Sequence, residues 1–298
     1  MYNGIVLIDK PAGMTSFDVV SKMRQVFHQK QVGHTGTLDP SVTGLLVIVL
    51  GKATKLIDFL QQSEKQYHAD MILGIKTDTQ DLDGQIIETL PIKKPISELK
   101  LQQTLTTFLG QNLQVPPMYS AIKVNGKRLY DLARKGQTVE RKARSITISQ
   151  LDQIGASHFD QGAGRQYLSF TATVSKGTYI RTLVEDIGAS MAVPAVMKKL
   201  RRLAADGYRV DQAVPLEELL KNPSPDQFII PLEKLLKQLP MVAIKQADWQ
   251  LVQHGAWLRG LETDAPLVRI FYDRSLQAIY KKDQGLYRPE KMLLHESN

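Results

Sequence analysis

The chain has 298 residues, of which 43% are apolar and 23% are charged, so it is long enough to fold around a substantial core. It contains no cysteine, which excludes disulfides, thiolate zinc sites, iron–sulfur clusters and every mechanism with a cysteine nucleophile, as in thiol-dependent uracil methyltransferases. The formal net charge of +8 favours an anionic partner.

The first predicted elements are a buried strand and an amphipathic helix. Gly4–Ile8 is a short apolar run that ends in a turn at Pro11–Gly13. Ser16 is the predicted N-cap of the helix. Behind it, apolar residues recur at helical spacing, which predicts a core-facing stripe: Val19, Val20, Met23, Val26 and Phe27.

A shaped loop, which we call the glycine loop (Gly33–Gly44), follows this helix. It contains three glycines and one proline, which disfavour both a helix and a central strand. It leads into the apolar run Leu45–Leu50, which predicts a buried strand. The loop is therefore suited to presenting the carboxylate of Asp39 from a rigid edge. Taken alone, the Asp39-Pro40 pair is also typical of an ordinary turn.

The next segments predict two helices and a strand. We expect a helix over Ala53–Leu60, a strand over Lys65–Leu73, and a helix from Ser97 to about Leu109. The loop Thr77–Gly84 carries three aspartates but lacks the glutamate that a calcium loop requires. It is interpreted as a solvated hairpin connection.

Basic residues concentrate in two places. Between Lys123 and Arg144 there are eight basic and two acidic residues, and Lys198–Arg202 forms a second cluster. The first cluster begins in a predicted strand, continues through an Asn-Gly turn and includes a predicted basic helix over Lys127–Lys135. Such runs are often only solvated faces, but two of them around an aromatic-bearing segment favour a track for a phosphate backbone.

The second half of the chain predicts further strands and one notable arginine. Strands are expected at Ile146–Ile154 and Gln166–Ser175. Arg181 falls in the first turn of the next predicted helix, where the positive helix end disfavours a cation, so an acidic partner is expected. After Pro240 the pattern predicts a compact β-rich appendage with a polar tail. It has a helix at Gln246–His254 and strands at Leu267–Tyr272 and Ser275–Lys281.

Five long motifs, in consistent order between Gly4 and Tyr208, resemble those of the TruB family of tRNA pseudouridine-55 synthases. They are GHTGTLDPSVTGLL (Gly33–Leu46), KQYHADMILG (Lys65–Gly74), PPMYSAIKVNGKRLYDLARKG (Pro116–Gly136), KGTYIRTLVEDIG (Lys176–Gly188) and LRRLAADG (Leu200–Gly207). The chain departs from the family at Ala195-Val196, where members usually carry Ala-His, so the resemblance implies no polar contact from position 196.

The resemblance implies the fold class and the activity. The expected fold is a mixed α/β catalytic domain around a curved antiparallel-rich sheet, residues 1–238, followed by a small β-rich PUA-like RNA-binding domain, residues 239–298. The implied reaction isomerises uridine to pseudouridine in the T-loop of tRNA, at position 55, without a cofactor or metal. The implied protein is a monomer without an obligatory protein partner. The N-terminus lacks a leader and no apolar run would span a membrane, so we expect a cytoplasmic protein.

The resemblance also assigns roles to individual residues by motif. Asp39 would be the catalytic carboxylate, Tyr67 would stack on the target base and abstract a proton, and Arg181 would pair with the carboxylate. The positions that would contact the RNA or the flipped nucleotide are His34, Lys10, Tyr179 and Leu200. An aspartate held ionised by an arginine, beside a phenol, suits a reaction that breaks and remakes a glycosidic bond.

Two other functions compete with this interpretation. A non-catalytic RNA-binding protein or chaperone would share the basic clusters but would not require Asp39 opposite Arg181. A glycoside or nucleoside hydrolase would use the carboxylate but usually needs a second one as acid or base, and the sequence near Asp39 offers no obvious partner.

Overall fold

The computed structural model of the chain describes residues 1–61, 63–120, 123–124, 126–128, 132, 137 and 139–294. Within these residues the strands are, in chain order, β1 (Gly4–Lys10), β2 (Val32–His34), β3 (Thr43–Leu50), β4 (Lys65–Leu73), β5 (Ile75–Thr77), β6 (Ile86–Thr89), β7 (Gly110–Gln114), β8 (Lys123–Val124), β9 (Lys127–Arg128), β10 (Arg144–Asp160), β11 (Arg165–Val174), β12 (Ala195–Ala205), β13 (Tyr208–Arg209), β14 (Val214–Pro215), β15 (Ile230–Pro231), β16 (Met241–Ala243), β17 (Leu267–Tyr272), β18 (Ser275–Asp283) and β19 (Leu286–Met292). The α-helices are α1 (Ser16–Val26), α2 (Ile57–Leu60), α3 (Glu98–Thr107), α4 (Ile180–Ser190), α5 (Leu216–Lys221) and α6 (Gln246–Gln253).

One large sheet organises the molecule. Its strand order is β14-β1-β3-β12-β4-β11-β10-β7, with β2 paired to β3, β13 to β12 and β15 to β1. Most neighbours are antiparallel, whereas β12 runs parallel to β3 and β14 parallel to β1. The predicted mixed α/β class with an antiparallel-rich sheet is confirmed. Strand β12 lies between β3 and β4, so it joins the glycine loop to the segment that carries Tyr67.

The two faces of β1 and β3 are both covered, which explains why these strands have unbroken apolar sequences. On one face, alternate residues such as Val6 and Ile48 pack with α1. On the other face, Ile5 and Val47 pack with residues of the C-terminal sheet, among them Phe271. A third apolar cluster lies between the sheet and helices α3 and α4.

Helix α1 begins one residue earlier than the sequence suggested. Thr15 is the N-cap: its hydroxyl accepts from the Asp18 N–H at 3.0 Å, and the Asp18 carboxylate accepts from the Thr15 N–H at 2.8 Å. The predicted capping role of Ser16 is therefore wrong. Its hydroxyl instead bonds the N–H and the carbonyl of Leu38 in the glycine loop.

Several other predicted elements are confirmed with changes. The helix expected at residues 53–60 is a 3-10 helix, Gly51–Leu56, followed by α2. Strands β8 and β9 pair in antiparallel fashion, so residues 127–128 are in a strand rather than a helix. The remainder of the predicted basic helix lies outside the described residues, except for isolated positions.

The C-terminal residues form a separate four-stranded sheet in the order β16-β17-β18-β19, with α6 beside it. It has its own apolar cluster, which includes Val252, Val268 and Tyr280. Residues 286–292, expected to belong to a polar tail, form edge strand β19. No helix within the described parts of the chain is both long and apolar enough to cross a membrane.

Candidate active site

The glycine loop is fixed by hydrogen bonds to three neighbouring elements. The Thr35 N–H donates to the carbonyl of Val47 at 3.1 Å, and the Leu38 N–H donates to the Ser16 hydroxyl at 2.8 Å. The Gly13 N–H donates to the carbonyl of Pro40 at 2.9 Å. These bonds on both sides of Asp39 hold its backbone in one conformation.

Lys10 supports the same loop from inside the protein. Its side chain is fully buried, and its ammonium donates to the carbonyls of Pro11, Met14 and Pro40 at 2.8, 2.7 and 3.3 Å. Burial lowers the pKa of Lys10 to about 8, although the nearby charge of Asp39 opposes this change. The side chain does not line the cavity described below, and its predicted contact with substrate stays a prediction.

Asp39 and Arg181 form an ion pair. Arg181 Nη2 lies 3.0 Å from Asp39 Oδ2; the arginine side chain is 7% exposed and the aspartate side chain is 43% exposed. The sequence required an acidic partner for an arginine at this helix start, and the structure supplies one. The same guanidinium donates to the carbonyls of Thr79 and Tyr119, both at 2.9 Å, which fixes its direction.

A second carboxylate, which the sequence did not identify, also faces Arg181. Asp81 Oδ2 lies 3.6 Å from Arg181 Nη1, and the Asp81 side chain is 10% exposed. The Thr77–Gly84 loop is a hairpin connection between the paired strands β5 and β6, as expected, but the expectation that it is solvated is wrong at Asp81. The loop contacts β12, where the Met197 N–H donates to the carbonyl of Gln80 at 3.1 Å. This contact buries the neighbouring Asp81. Burial raises the pKa of the Asp81 carboxyl despite the adjacent guanidinium.

A cavity of about 330 Å³, which we call the Asp39 cavity, opens beside the ion pair. It brings together five of the predicted site residues, namely Asp39, Tyr67, Tyr179, Arg181 and Leu200. His34 does not line it; this residue belongs to β2, and its Nδ1 atom is buried without a hydrogen-bond partner among the described residues. Burial, reinforced by the charge of Arg202, lowers the pKa of His34.

Tyr67 and Arg202 occupy paired positions on neighbouring strands. Tyr67 on β4 is opposite Arg202 on β12, and Arg202 is in turn opposite Gly44 at the start of β3. Tyr67 is 8% exposed and lines the cavity with its strand neighbour. Arg202 donates from Nε to the carbonyl of Leu45 at 2.7 Å and from Nη2 to the carbonyl of Gly36 at 3.1 Å. The sequence placed Arg202 only in a basic cluster; nothing in that run distinguished it from its neighbours.

Asp206 completes the support of the glycine loop. It follows β12 at a left-handed φ of 58° and is buried, and it accepts a hydrogen bond from the hydroxyl of Thr35. Burial raises the pKa of Asp206. The family motif match did not indicate a role for this residue, because its partner lies far away in the sequence.

Two family models cover most of the chain. The model described as TruB family pseudouridylate synthase (N terminal domain) matches residues 24–180, and the model described as tRNA pseudouridylate synthase B C-terminal domain matches residues 181–237. The chain belongs to the TruB family of pseudouridylate synthases. The family resemblance stated from the sequence is thereby confirmed, and with it the assignment of the chain as an isomerase.

Curated relatives of this TruB family chain match it over its full length. A tRNA pseudouridine synthase B of Oenococcus oeni is 59% identical over 298 residues, covering 100% of both chains. A tRNA pseudouridine synthase B of Lactobacillus delbrueckii subsp. bulgaricus is 45% identical over 296 residues, covering 99% of each.

Solved structures share the TruB family fold. A chain from a Cbf5–Nop10–Gar1 complex is 26% identical, with a TM-score of 0.70, and the match covers 98% of this chain and 85% of that one. A chain from an H/ACA ribonucleoprotein bound to a substrate RNA containing 2′-deoxyuridine is 24% identical, also with a TM-score of 0.70 and the same coverage. The latter likeness shows the fold alone.

Proposed function

We propose that this chain converts uridine to pseudouridine in the T-loop of tRNA, at position 55, with Asp39 as the catalytic carboxylate. The observation that carries the proposal is the ion pair between Asp39 and the buried Arg181 at the wall of the Asp39 cavity. Curated relatives covering the whole chain are named tRNA pseudouridine synthase B, which supports tRNA as the substrate.

The reaction breaks the C1′–N1 bond of the target uridine and forms a C1′–C5 bond. The base turns in the cavity between these steps, the proton on C5 leaves, and N1 gains a proton, so atoms balance without any external reactant. Asp39, oriented by its ion pair with Arg181, supplies negative charge at C1′ or C6 of the nucleotide. The uracil is detached from the ribose for part of the reaction. The walls of the Asp39 cavity must therefore also keep it from diffusing away.

Tyr67 is the proposed base for the C5 proton. It lines the same cavity as Asp39, and its burial on β4 suits stacking against a uracil ring. Tyr179 and Leu200 line the cavity as well and are proposed to contact the flipped nucleotide. Extrusion of the target base from the RNA costs roughly a few kcal/mol of lost stacking. His34 is proposed to offset this loss by stacking on the RNA.

The remaining parts of the proposal concern partners and domains. We propose that the enzyme acts as a monomer without a cofactor or obligatory protein partner. We further propose that residues 1–238 are the catalytic domain and that residues 239–298, with the β16–β19 sheet, are a PUA-like domain that adds RNA contacts.

The decisive experiment compares the wild-type chain with Asp39→Asn on a tRNA T-loop transcript, with pseudouridine mapped at each uridine. The variant should bind RNA and unfold like the wild type but lose turnover by at least about a thousandfold, since the reaction loses its anionic group. Asp211→Asn is the matched control, because Asp211 is exposed and pairs only with Arg209 among the described residues. Substantial turnover in Asp39→Asn would contradict the role of Asp39.

The same transcript tests the hydrolase alternative. Asp81 is the second carboxylate that this alternative needed, but it does not line the Asp39 cavity and is held by Arg181 and by Thr79, whose hydroxyl donates to it at 2.5 Å. We therefore expect no free uracil from the wild-type reaction. Release of uracil in place of pseudouridine would favour a hydrolase.

A further inference from the structure

Arg202 is a buried cation without an ion-pair partner among the described residues. Its side chain is 1% exposed, and the two nitrogens that form hydrogen bonds, Nε and Nη2, donate to the carbonyls of Leu45 and Gly36. Burying an unpaired guanidinium costs several kcal/mol, so a fold that retains one has a use for its positive charge.

Lys65 brings a second positive charge to the same place. A methyl group at Gly36 would lie 3.3 Å from Arg202 Nη1 and 3.4 Å from Lys65 Nζ. Both cationic groups therefore lie close to Gly36 in the glycine loop. Within the described residues, Lys65 has neither an ion pair nor a side-chain hydrogen bond. Burial, followed by the charge of Arg202, lowers the pKa of Lys65.

Positive charge is in excess at this end of the Asp39 cavity. Lys65, Lys176 and Arg202 line it, and Asp206 is the carboxylate whose charge acts on all three. The three cations and one carboxylate leave an excess of 3 − 1 = 2 positive charges. At the other end, Arg181 faces two carboxylates, Asp39 and Asp81, so its charge is compensated. The cavity thus has a catalytic end and a cationic end.

We propose that Lys65 and Arg202 bind a phosphodiester group adjacent to the target nucleotide, as an anion subsite distinct from the Asp39–Arg181 pair. This inference rests on the proposed function, since it takes an RNA nucleotide as the occupant of the cavity. A nucleotide whose C1′ faces Asp39 carries phosphates on both sides of its ribose, and these are the anions covalently nearest to the cationic end. A lysine ammonium and a free guanidinium N–H are suitable donors to phosphate oxygens.

The test uses T-loop RNAs in which a single phosphate, on the 5′ or on the 3′ side of the target uridine, is replaced by an uncharged methylphosphonate. Binding of each RNA is measured for the wild type, Lys65→Met, Lys65→Arg and Lys100→Met. Lys65→Arg keeps the positive charge. Lys100 is exposed on α3 and does not line the cavity, so it serves as the matched control.

We expect one methylphosphonate position to weaken wild-type binding about tenfold, the usual effect of losing a charge-assisted hydrogen bond. The same RNA should weaken binding of Lys65→Met by a clearly smaller factor than binding of the wild type, because one of the two partner charges is already gone. With unmodified RNA, Lys65→Met should also reduce the salt slope by about 0.7 to 0.9. Lys65→Arg and Lys100→Met should respond like the wild type.

Equal losses in the wild type and Lys65→Met at both positions would overturn the proposal, as would a wild type that tolerates both methylphosphonates. A Lys65→Arg variant that behaves like Lys65→Met would assign Lys65 to packing and overturn it as well. Turnover of the unmodified RNA by the wild type is scored separately, so failure of the proposed function is distinguished from failure of the subsite.

Discussion

The carboxylate of Asp81, on the loop that follows strand β5, lies 3.6 Å from the guanidinium of Arg181. Arg181 also contacts Asp39 at 3.0 Å. One buried cation therefore links the proposed catalytic carboxylate to a second, buried carboxylate. Asp81 therefore helps to set where Arg181, and through it Asp39, is held.

We expect Asp81→Asn to lower turnover by roughly tenfold to a hundredfold, since small displacements of a catalytic group have effects of that size. RNA affinity should be unchanged, because Asp81 does not line the cavity. Single-turnover pseudouridine formation measures the effect. Asp83→Asn, an exposed position in the same loop, is the control, and equal rates in the two variants would remove Asp81 from the network.

The hydrogen bond from the Thr35 hydroxyl to Asp206 should contribute to stability. A bond to a charged group is worth about 1.5–3 kcal/mol, so Thr35→Val should lower the free energy of unfolding by about that amount. In a double-mutant cycle with Asp206→Asn, the two losses should be clearly less than additive. Urea denaturation measures both, and Thr37→Val, exposed in the same loop, should change little. Additive losses would mean that the two side chains stabilise the fold independently.

Gly44 is held where no larger residue fits. Its φ is 101°, and a methyl group there would lie 2.3 Å from the carbonyl oxygen of Arg202, whose backbone runs alongside. Gly44→Ala should cost about 3–5 kcal/mol through combined backbone strain and clash. Gly110→Ala isolates the backbone strain, since φ is 90° at Gly110 but no atom lies within 4 Å of an added methyl group. This variant should lose about 1–2 kcal/mol of unfolding free energy. Similar losses in the two variants, by urea denaturation, would contradict the clash.

The carboxyl group of Asp186 on α4 should make the free energy of unfolding depend on pH. Burial, followed by repulsion from Glu185, raises its pKa from 3.8 to about 6. Because the folded state binds this proton more tightly, the contribution of Asp186 to stability is present below about pH 4 and is lost as the pH rises through 6.

Asp186→Asn should therefore raise the free energy of unfolding at pH 8 by roughly 1–3 kcal/mol, and by less at pH 5. Chemical denaturation at the two pH values measures the difference. A gain that is equal at both pH values would show that charge on Asp186 is not the cause.

Much of the catalytic end was predictable because its signals are local. The apolar run Leu45–Leu50, the loop before it and the helix start at Arg181 each follow from glycine, proline and apolar spacing. The demand of Arg181 for an acid came from helix electrostatics, and Asp39 meets it.

The missed features depend on contacts between distant segments. Asp81 looked solvated because a loop rich in aspartate, threonine and glycine usually is, and only its docking on β12 buries it. Ser16 looked like a cap, but Thr15 takes that position and leaves Ser16 free to bond Leu38. Arg202 and Asp206 differ from ordinary charged residues only in what surrounds them once the sheet has formed.

The shared apolar face beneath β1 and β3 has a practical consequence. The buried apolar cluster that contains Ile5 and Val47 also contains Phe271, Leu276 and Ile279 of the C-terminal sheet. A chain shortened to residue 238 would expose this face, so we expect it to aggregate or be degraded even though every proposed catalytic residue is retained. We therefore expect a smaller working enzyme to need the C-terminal strands.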